Sequence, residues 1–103
     1  MLQVTAQTRI FLAVQPVDFR KGIDGLAAVC QQRLHHDPFS GAVFVFRNRR
    51  GDALKILAFD GQGLWLCLKR FSQGKLQWWQ KTAGAAVTLT ASELQILLWN
   101  GNH

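Results

Sequence analysis

The hydrophobic pattern of the first third of the chain predicts one strand followed by one helix. Residues 9–14 form a short apolar run closed by Pro16, as is typical of a β-strand. Asp18 then stands where a helix N-cap belongs. The apolar residues after it recur at helical spacing: Ile23, Leu26, Ala27, Cys30 and Leu34. Proline disfavours helical geometry in the residue ahead of it, so this helix is expected to end before residues 35–38.

Turn signals divide the middle of the chain into consecutive strands. Apolar runs at 42–47 and 53–59 flank an Arg-Gly-Asp turn, and the run at 64–69 follows a second glycine-bearing turn at 60–63. Residues 75–79 are a candidate for one more strand. Consecutive strands joined by short turns predict an antiparallel meander.

A capping box predicts a second helix near the C-terminus. Thr90 and Glu93 have the required spacing, and the apolar positions of residues 91–99 place Leu94, Leu97 and Leu98 on one face. The predicted fold is α+β: a single domain over residues 1–103, with an antiparallel β-meander of about four to five strands packed with two helices.

Strand alternation predicts one apolar face and, if the pairing register keeps it together, one mixed face. The apolar face collects Phe44, Phe46, Leu54, Ile56, Ala58, Leu64, Leu66 and Leu68. The mixed face collects Val43, Val45, Arg47, Lys55, Leu57, Phe59, Trp65, Cys67 and Lys69. Interleaved cations and aromatics are typical of nucleic-acid binding. The favoured interpretation for the aromatics is that the second helix covers them while the cations reach water at the sheet margin.

The charge of the chain is concentrated in its middle third. Of the net charge of +6, residues 44–75 contribute +5, which favours a polyanion or an acidic protein surface as partner. Gly51 is expected at positive φ in the Arg-Gly-Asp turn, with Asp52 bonded to nearby amides, so the tripeptide is no adhesion signal. The predicted phosphate contacts are Arg47, Arg49, Arg50, Lys55, Lys69 and Arg70, with Arg20 and Lys21 as outlying candidates.

Catalytic chemistry finds little support in the sequence. The six acidic residues all stand at helix ends, turns or helical positions that explain them locally, and neither a nucleophile elbow nor a phosphate loop occurs. His35, His36 and Asp37 could supply one or two metal ligands without completing a site. Cys30 and Cys67 fit no disulfide or zinc pattern and are expected to be small buried residues. We therefore predict neither an enzyme nor a cofactor or metal.

The sequence contains no apolar run long enough to span a bilayer and no signal peptide. We therefore predict a cytoplasmic protein without membrane contact.

Several stretches together resemble one family. They are VDFRKGIDGLA at 17–27, DPFSG at 37–41, VFVFRNRRGD at 43–52, KIL at 55–57, DGQGL at 60–64, Lys69-Arg70 and Leu89-Thr90. They resemble the small accessory protein, usually called TnpB, of bacterial insertion sequences that also encode TnpA and a separate transposase, TnpC, and not the RNA-guided nuclease of the same name. Phe59 departs from the Trp or Tyr frequent at its position, and the tail at 98–103 lacks an acidic ending.

The resemblance implies a role in transposition beside a transposase that carries the chemistry. The resulting hypothesis is an accessory protein that binds duplex DNA, with weak sequence specificity, and helps to assemble the transposition complex. The alternative is a protein interaction module that docks onto the transposase or the other accessory protein of the element. A metal-dependent nuclease is a third and weaker hypothesis. The sequence leaves the oligomeric state open.

Overall fold

The strands of the protein form one mixed sheet between two helices. The computed structural model describes residues 4–76, 79 and 81–99. The elements are β1 (Ile10–Ala13), α1 (Ile23–Gln32), β2 (Val43–Arg47), β3 (Ala53–Phe59), β4 (Leu64–Arg70), β5 (Ala86–Leu89) and α2 (Ala91–Leu98). The sheet order is β4-β3-β2-β1-β5. This confirms the α+β class with two helices.

One strand pair departs from a pure meander. β1 and β2 are parallel, whereas β1–β5, β2–β3 and β3–β4 are antiparallel. The parallel pair arises because α1 connects β1 to β2 and carries the chain back to the end of the sheet where β1 begins. No helix in the described ranges is long and apolar enough to cross a membrane.

The first helix begins later than its predicted cap. Gly22 is the N-cap residue, and Asp18 instead accepts the backbone N–H of Arg20 at 2.9 Å in the loop before the helix. The prediction of Asp18 as the N-cap was therefore wrong, because the same short carboxylate stabilises a local turn equally well. The helix ends before His35, as predicted, and His35 itself adopts a positive φ of 59°.

The fifth strand comes from a different segment than expected. Residues 86–89 pair with β1, whereas Lys75, Leu76 and Trp79 of the predicted strand at 75–79 lie outside any strand. Residues 77 and 78 of that prediction lie outside the described residues. Apolar residues of this segment pack against the sheet instead, with Phe71, Leu76 and Trp79 in contact with one of its two cores.

The second helix forms as the capping box predicts. The Thr90 side chain accepts the Glu93 N–H at 3.0 Å, and the Glu93 carboxylate accepts the Thr90 N–H at 2.9 Å. Leu94 and Leu97 are buried and Leu98 packs beside them, which confirms the predicted apolar face.

The two faces of the sheet each carry a hydrophobic core. One face, here the α1 face, buries Phe44, Phe46 and Leu57 with Leu26 and Cys30 of α1. The other, the α2 face, includes the buried residues Ile10, Leu12, Val43, Val45, Leu54, Leu94 and Leu97. Both faces of the sheet's centre are therefore covered, and the apolar residues of the chain are divided between two layers of packing.

The predicted mixed face was wrong because the register exchanges the two sides of β3. Phe44 pairs with Leu57 and Val45 with Ile56, so even-numbered residues of β2 share a face with odd-numbered residues of β3. The five-residue turn at 48–52 sets this register, and strand parity does not carry across a turn. Lys55 consequently lies on the α1 face, while Arg47, Trp65, Cys67 and Lys69 lie on the α2 face.

Candidate nucleic-acid interface

Three connecting segments of the chain meet at one end of the sheet. β1 and β2 both finish there, β3 starts there after the turn at 48–52, and β4 finishes there before the connection at 71–85. A hydrogen bond from the Val17 N–H to the Arg47 carbonyl, 3.0 Å long, ties the loop after β1 to the end of β2. We call this the basic end, and its exposed cations include Arg49, Arg50, Arg70 and Lys75.

The turn that presents Arg49 and Arg50 is built by Asn48 and Gly51. The side-chain oxygen of Asn48 accepts the backbone N–H groups of Asp52 and Ala53 at 3.1 and 3.3 Å, and the Gly51 N–H returns to the Asn48 carbonyl at 3.2 Å. Gly51 has a φ of +74°, which confirms the expected conformation. The amide-bonding role predicted for Asp52 belongs to Asn48, because an Asn side chain at the start of a turn reaches the same N–H groups.

Asp52 lies among the cations of the turn. Its carboxylate accepts the Asn48 side-chain N–H at 2.6 Å and lies 3.5 Å from Arg50 Nε. The bond from Asn48 is the largest cause that lowers the pKa of Asp52, and the charges of Arg50 and Arg70 are among the smaller causes that lower it further. Ala53 pairs with Arg70, and the Phe71 N–H donates to the Asp52 carbonyl at 2.9 Å, so the turn and the end of β4 lie side by side.

Arg47 has a structural environment inside the protein. Its Nη2 donates to the Val14 carbonyl at 3.2 Å, and its guanidinium lies 5.4 Å from the ring centre of Trp79. Trp79 in turn donates its indole N–H to the Ala13 carbonyl at 3.0 Å. The Arg47 Nε is buried and has no hydrogen-bond partner among the described residues. These contacts hold the connection at 71–85 against the end of β1.

Lys55 likewise points into the loop that precedes α1. Its Nζ donates to the carbonyl oxygens of Phe19 and Lys21 at 2.8 and 2.9 Å and lies 5.0 Å from the Phe19 ring centre. The ammonium thereby satisfies two backbone acceptors of a segment more than thirty residues away in sequence. Arg20 in the same loop forms an ion pair with Asp18 and keeps the pKa of Asp18 at about 2.

Lys69 contacts the end of the second helix. Its Nζ donates to the Leu98 carbonyl, and it lies 5.6 Å from the ring centre of Phe71. A cation at this position compensates the free carbonyls and the negative end of the helix dipole. It therefore connects β4 to α2.

The six predicted phosphate contacts thus fall into two groups. Arg47, Lys55 and Lys69 make intramolecular contacts that fix loops or a helix end. Arg49, Arg50 and Arg70 are exposed and share the basic end, where the Arg50 side chain is 83% exposed. Of the outlying candidates, Arg20 is paired with Asp18, and Lys21 is exposed. A role of any of them in phosphate contact stays a prediction.

Lys75 joins the basic end without having been among the predicted contacts. The Leu76 N–H donates to the Gly51 carbonyl at 2.7 Å and the Phe71 N–H to the Asp52 carbonyl at 2.9 Å, so the segment at 71–76 folds back against the arginine turn. The sequence placed Lys75 in the charged middle third, but only this long-range pairing brings it beside the turn.

The aromatic side chains proposed for the mixed face separate. Trp65 is 42% exposed on the α2 face, and its indole N–H donates to Asp60 at 2.7 Å. Phe59 lies on the α1 face, half-buried and in edge contact with Phe39 at 5.3 Å between ring centres. They do not form a shared stacking surface, and neither lies at the basic end.

The remaining polar groups show local roles. The Asp60 carboxylate accepts the backbone N–H groups of Gln62 and Gly63 at 2.8 and 2.9 Å, and these bonds, followed by that from Trp65, lower its pKa. Among the residues that the structure describes, no three His, Cys, Asp or Glu side chains come together as a metal site would require. Cys30 is buried as expected, but Cys67 is exposed, because it stands on an edge strand.

The fold and the surface define a class of protein: a small basic α+β domain with an arginine-rich end. The model of the IS66 Orf2-like protein family matches residues 8–102, and the chain belongs to this family. The match confirms the resemblance to the accessory protein of IS66-type insertion sequences, as distinct from the RNA-guided nuclease.

Two proteins of Sinorhizobium fredii (strain NBRC 101917 / NGR234) are similar in sequence. The uncharacterized protein y4hO is 36% identical over 98 residues, which cover 95% of this chain and 84% of y4hO. The uncharacterized protein y4jC is 46% identical over 67 residues, or 65% of this chain and 57% of y4jC, so the match spans little more than half of that relative. No solved structure matches the chain.

Proposed function

We propose that the protein is a non-catalytic accessory factor of insertion-sequence transposition that acts in the cytoplasm, binds duplex DNA through its basic end and helps to assemble the transposition complex. The family supports the role in transposition. The observation that carries the DNA-binding proposal is the position of three exposed arginines, Arg49, Arg50 and Arg70, at one end of the sheet, with Asp52 as the acidic group of the turn.

The chemistry of the basic end suits phosphate groups. Guanidinium groups bind phosphate oxygens with two parallel N–H bonds, and duplex DNA presents such anions at short, regular intervals. The arginine turn is rigid because the Asn48 side chain and Gly51 fix its backbone. Rigid presentation reduces the entropy that binding must overcome.

The geometry also favours weak sequence specificity. Base reading requires polar side chains on an element that enters a groove. The polar exposed end of α1, at Gln31 and Gln32, is the nearest candidate, and it lies at the far end of a ten-residue helix from the basic end. That distance is about 15 Å along the helix axis, so the arginine turn and these amides do not form one reading surface.

The proposal is tested by fluorescence anisotropy of labelled duplex DNA across a series of salt concentrations. Arg49, Arg50 and Arg70 are each replaced by Gln. Every substitution that removes a phosphate contact is expected to flatten the slope of log affinity against log salt by about one unit. Arg33→Gln is the matched control, because Arg33 is exposed at the other end of α1 and its replacement should leave the slope unchanged.

A protein interaction module is the second candidate, favoured by an apolar groove on the α2 face. The groove has a volume of about 410 Å³ and is lined by Val4, Val43, Ile56, Trp65, Cys67, Leu94 and Leu98. Such grooves accept apolar side chains of a partner protein. Tight capture of the purified transposase, with no duplex binding at roughly 50 mM salt, would favour this function over the first.

A further inference from the structure

Among the residues that the structure describes, β4 pairs only with β3, so it forms one edge of the sheet and directs a row of backbone groups away from it. At the two ends of β4 the Phe71 N–H donates to the Asp52 carbonyl, and the Gly63 carbonyl accepts the Asp60 N–H. These two bonds show which residues of β4 direct their backbone groups toward β3. Odd-numbered residues 63–71 direct their backbone groups to β3. The even-numbered residues of β4 therefore direct their N–H and C=O groups outward: Leu64, Leu66, Leu68 and Arg70.

The side chains along this edge are largely apolar and exposed. Trp65 is 42% exposed on the α2 face and Leu68 is 59% exposed on the α1 face. The segment at 71–76 turns back toward Gly51 and does not pair with the outer side of β4. Soluble proteins usually protect long edges with charges, proline or a bulge. The charged residues of β4 stand only at its end, at Lys69 and Arg70.

Only one antiparallel register pairs all seven residues of β4 with those of a second copy. With Cys67 opposite Cys67 of a second copy, Leu66 faces Leu68, Trp65 faces Lys69, and all seven residues of the strand are paired. No two cations are directly opposed. A register centred on Lys69 would oppose two ammonium groups. Registers centred on Leu66 or Leu68 would pair only five residues of each strand, and one centred on Trp65 only three.

Backbone geometry and charge agree with this register. Leu66 of one copy lies opposite Leu68 of the other, and both direct their backbone groups outward, so the pair exchanges two hydrogen bonds. The two Cys67 residues then face each other at the closer, non-hydrogen-bonded position. Arg70 of each copy comes to lie two strands, or about 10 Å, from Asp60 of the other. The cationic end of each edge hairpin thus approaches the acidic turn of its partner.

We propose that the protein forms a two-fold symmetric dimer through β4, with the two five-stranded sheets joined antiparallel about Cys67 into one ten-stranded sheet. The outward N–H and C=O groups become paired, and Leu66 and Leu68 of the two copies form one apolar stripe. The two basic ends then point in opposite directions along the strands. This dimer does not depend on DNA binding.

Oxidative cross-linking tests the proposed register. Cys67 is exposed, whereas burial raises the pKa of the Cys30 thiol to about 12, so mild oxidation with diamide should act at Cys67. We expect most of the wild-type protein to become a dimer that reductant reverses. Cys67→Ser should abolish the cross-link and Cys30→Ala should retain it.

A shifted cysteine separates specific pairing from random collision. In the double variant Cys67→Ser/Leu68→Cys, the new thiol faces Leu66 of the second copy, and the two thiol-bearing Cα atoms are about 8 Å apart. Disulfides require Cα atoms within about 7 Å, so this variant should cross-link at least about tenfold more slowly than the wild type. Equal rates would overturn the register.

Sedimentation velocity tests the dimer itself. Leu68→Pro removes one outward N–H without touching the β3 ladder and should shift the protein to monomer, whereas Leu68→Ala keeps the N–H and should dimerise more strongly than Leu68→Pro. Far-UV circular dichroism checks that both variants fold. If Leu68→Pro does not fold, Leu68→Lys is tested in its place. A wild-type protein that stays monomeric at roughly 100 µM, far above the Kd of a stable dimer, would overturn the proposal.

Discussion

Replacing Lys55 by Met tests whether this lysine stabilises the fold or binds phosphate. Met keeps most of the apolar stem but removes the ammonium that bonds the Phe19 and Lys21 carbonyls. It also removes the cation that lies 5.0 Å from the Phe19 ring centre. The loop before α1 then loses its attachment to β3.

The expected loss of stability follows from these contacts. A hydrogen bond from a charged group contributes about 1.5–3 kcal/mol, and an exposed cation–π contact about 0.5–1 kcal/mol. Because the contacts share one ammonium, they are not additive, and we expect a decrease of about 2–3 kcal/mol in the free energy of unfolding. For a domain of this size, such a decrease lowers Tm by roughly 8–24 °C.

Thermal and urea unfolding, followed by circular dichroism, measure this change. Lys21→Met is the matched control: the Lys21 side chain is exposed, and its removal should change stability by less than about 0.5 kcal/mol. The salt dependence of DNA binding by folded Lys55→Met should equal that of the wild type. If Lys55→Met unfolds like the wild type while its salt slope flattens by about one unit, Lys55 binds phosphate and does not stabilise the loop.

Three further predictions concern individual side chains. Asp52→Asn keeps the shape of the turn but removes the negative charge beside two guanidinium groups, so duplex affinity measured by anisotropy should rise roughly two- to fivefold; an unchanged or weaker affinity would contradict a phosphate role for the turn. Thr90→Ala removes the cap of α2 and should cost about 1 kcal/mol in urea unfolding, while Ser92→Ala in the same first turn should cost less; equal decreases would speak against the cap. The folded state lowers the pKa of Asp60, so its contribution to stability is present above the unfolded pKa near 3.8 and is lost as pH falls through the lower folded value. The stability difference between wild type and Asp60→Asn should accordingly shrink as the pH falls below about 3.8, and a difference that stays constant in this acidic range would contradict the assignment.

The candidate surface could be predicted from sequence only in part. The density of positive charge located the arginine turn, and the glycine at position 51 correctly predicted a positive φ there. Which cations remain available could not be predicted, since it depends on contacts between distant segments. Arg47 reaches Val14 and Lys55 reaches Phe19, across 33 and 36 positions of the chain. No local pattern around either residue indicates these partners.

The strand faces show a similar limit. Alternation within one strand identifies which residues share a side, but it carries no information about which side of the neighbouring strand they join. The turn at 48–52 set a register in which β3 is reversed relative to the parity of β2, and Lys55 and Lys69 came to lie on opposite faces. The mixed surface expected from parity therefore does not form.

Local sequence patterns were enough to predict the first strand, the C-terminal end of α1, the capping box of α2 and the turn at Gly51. The motifs of the chain also identified its family. The folded chain was needed to show the parallel pairing of β1 with β2, the strand at 86–89 and which cations make intramolecular contacts. Capping and turn bonds join residues a few positions apart, whereas strand pairing and side-chain contacts depend on where distant segments of the chain meet.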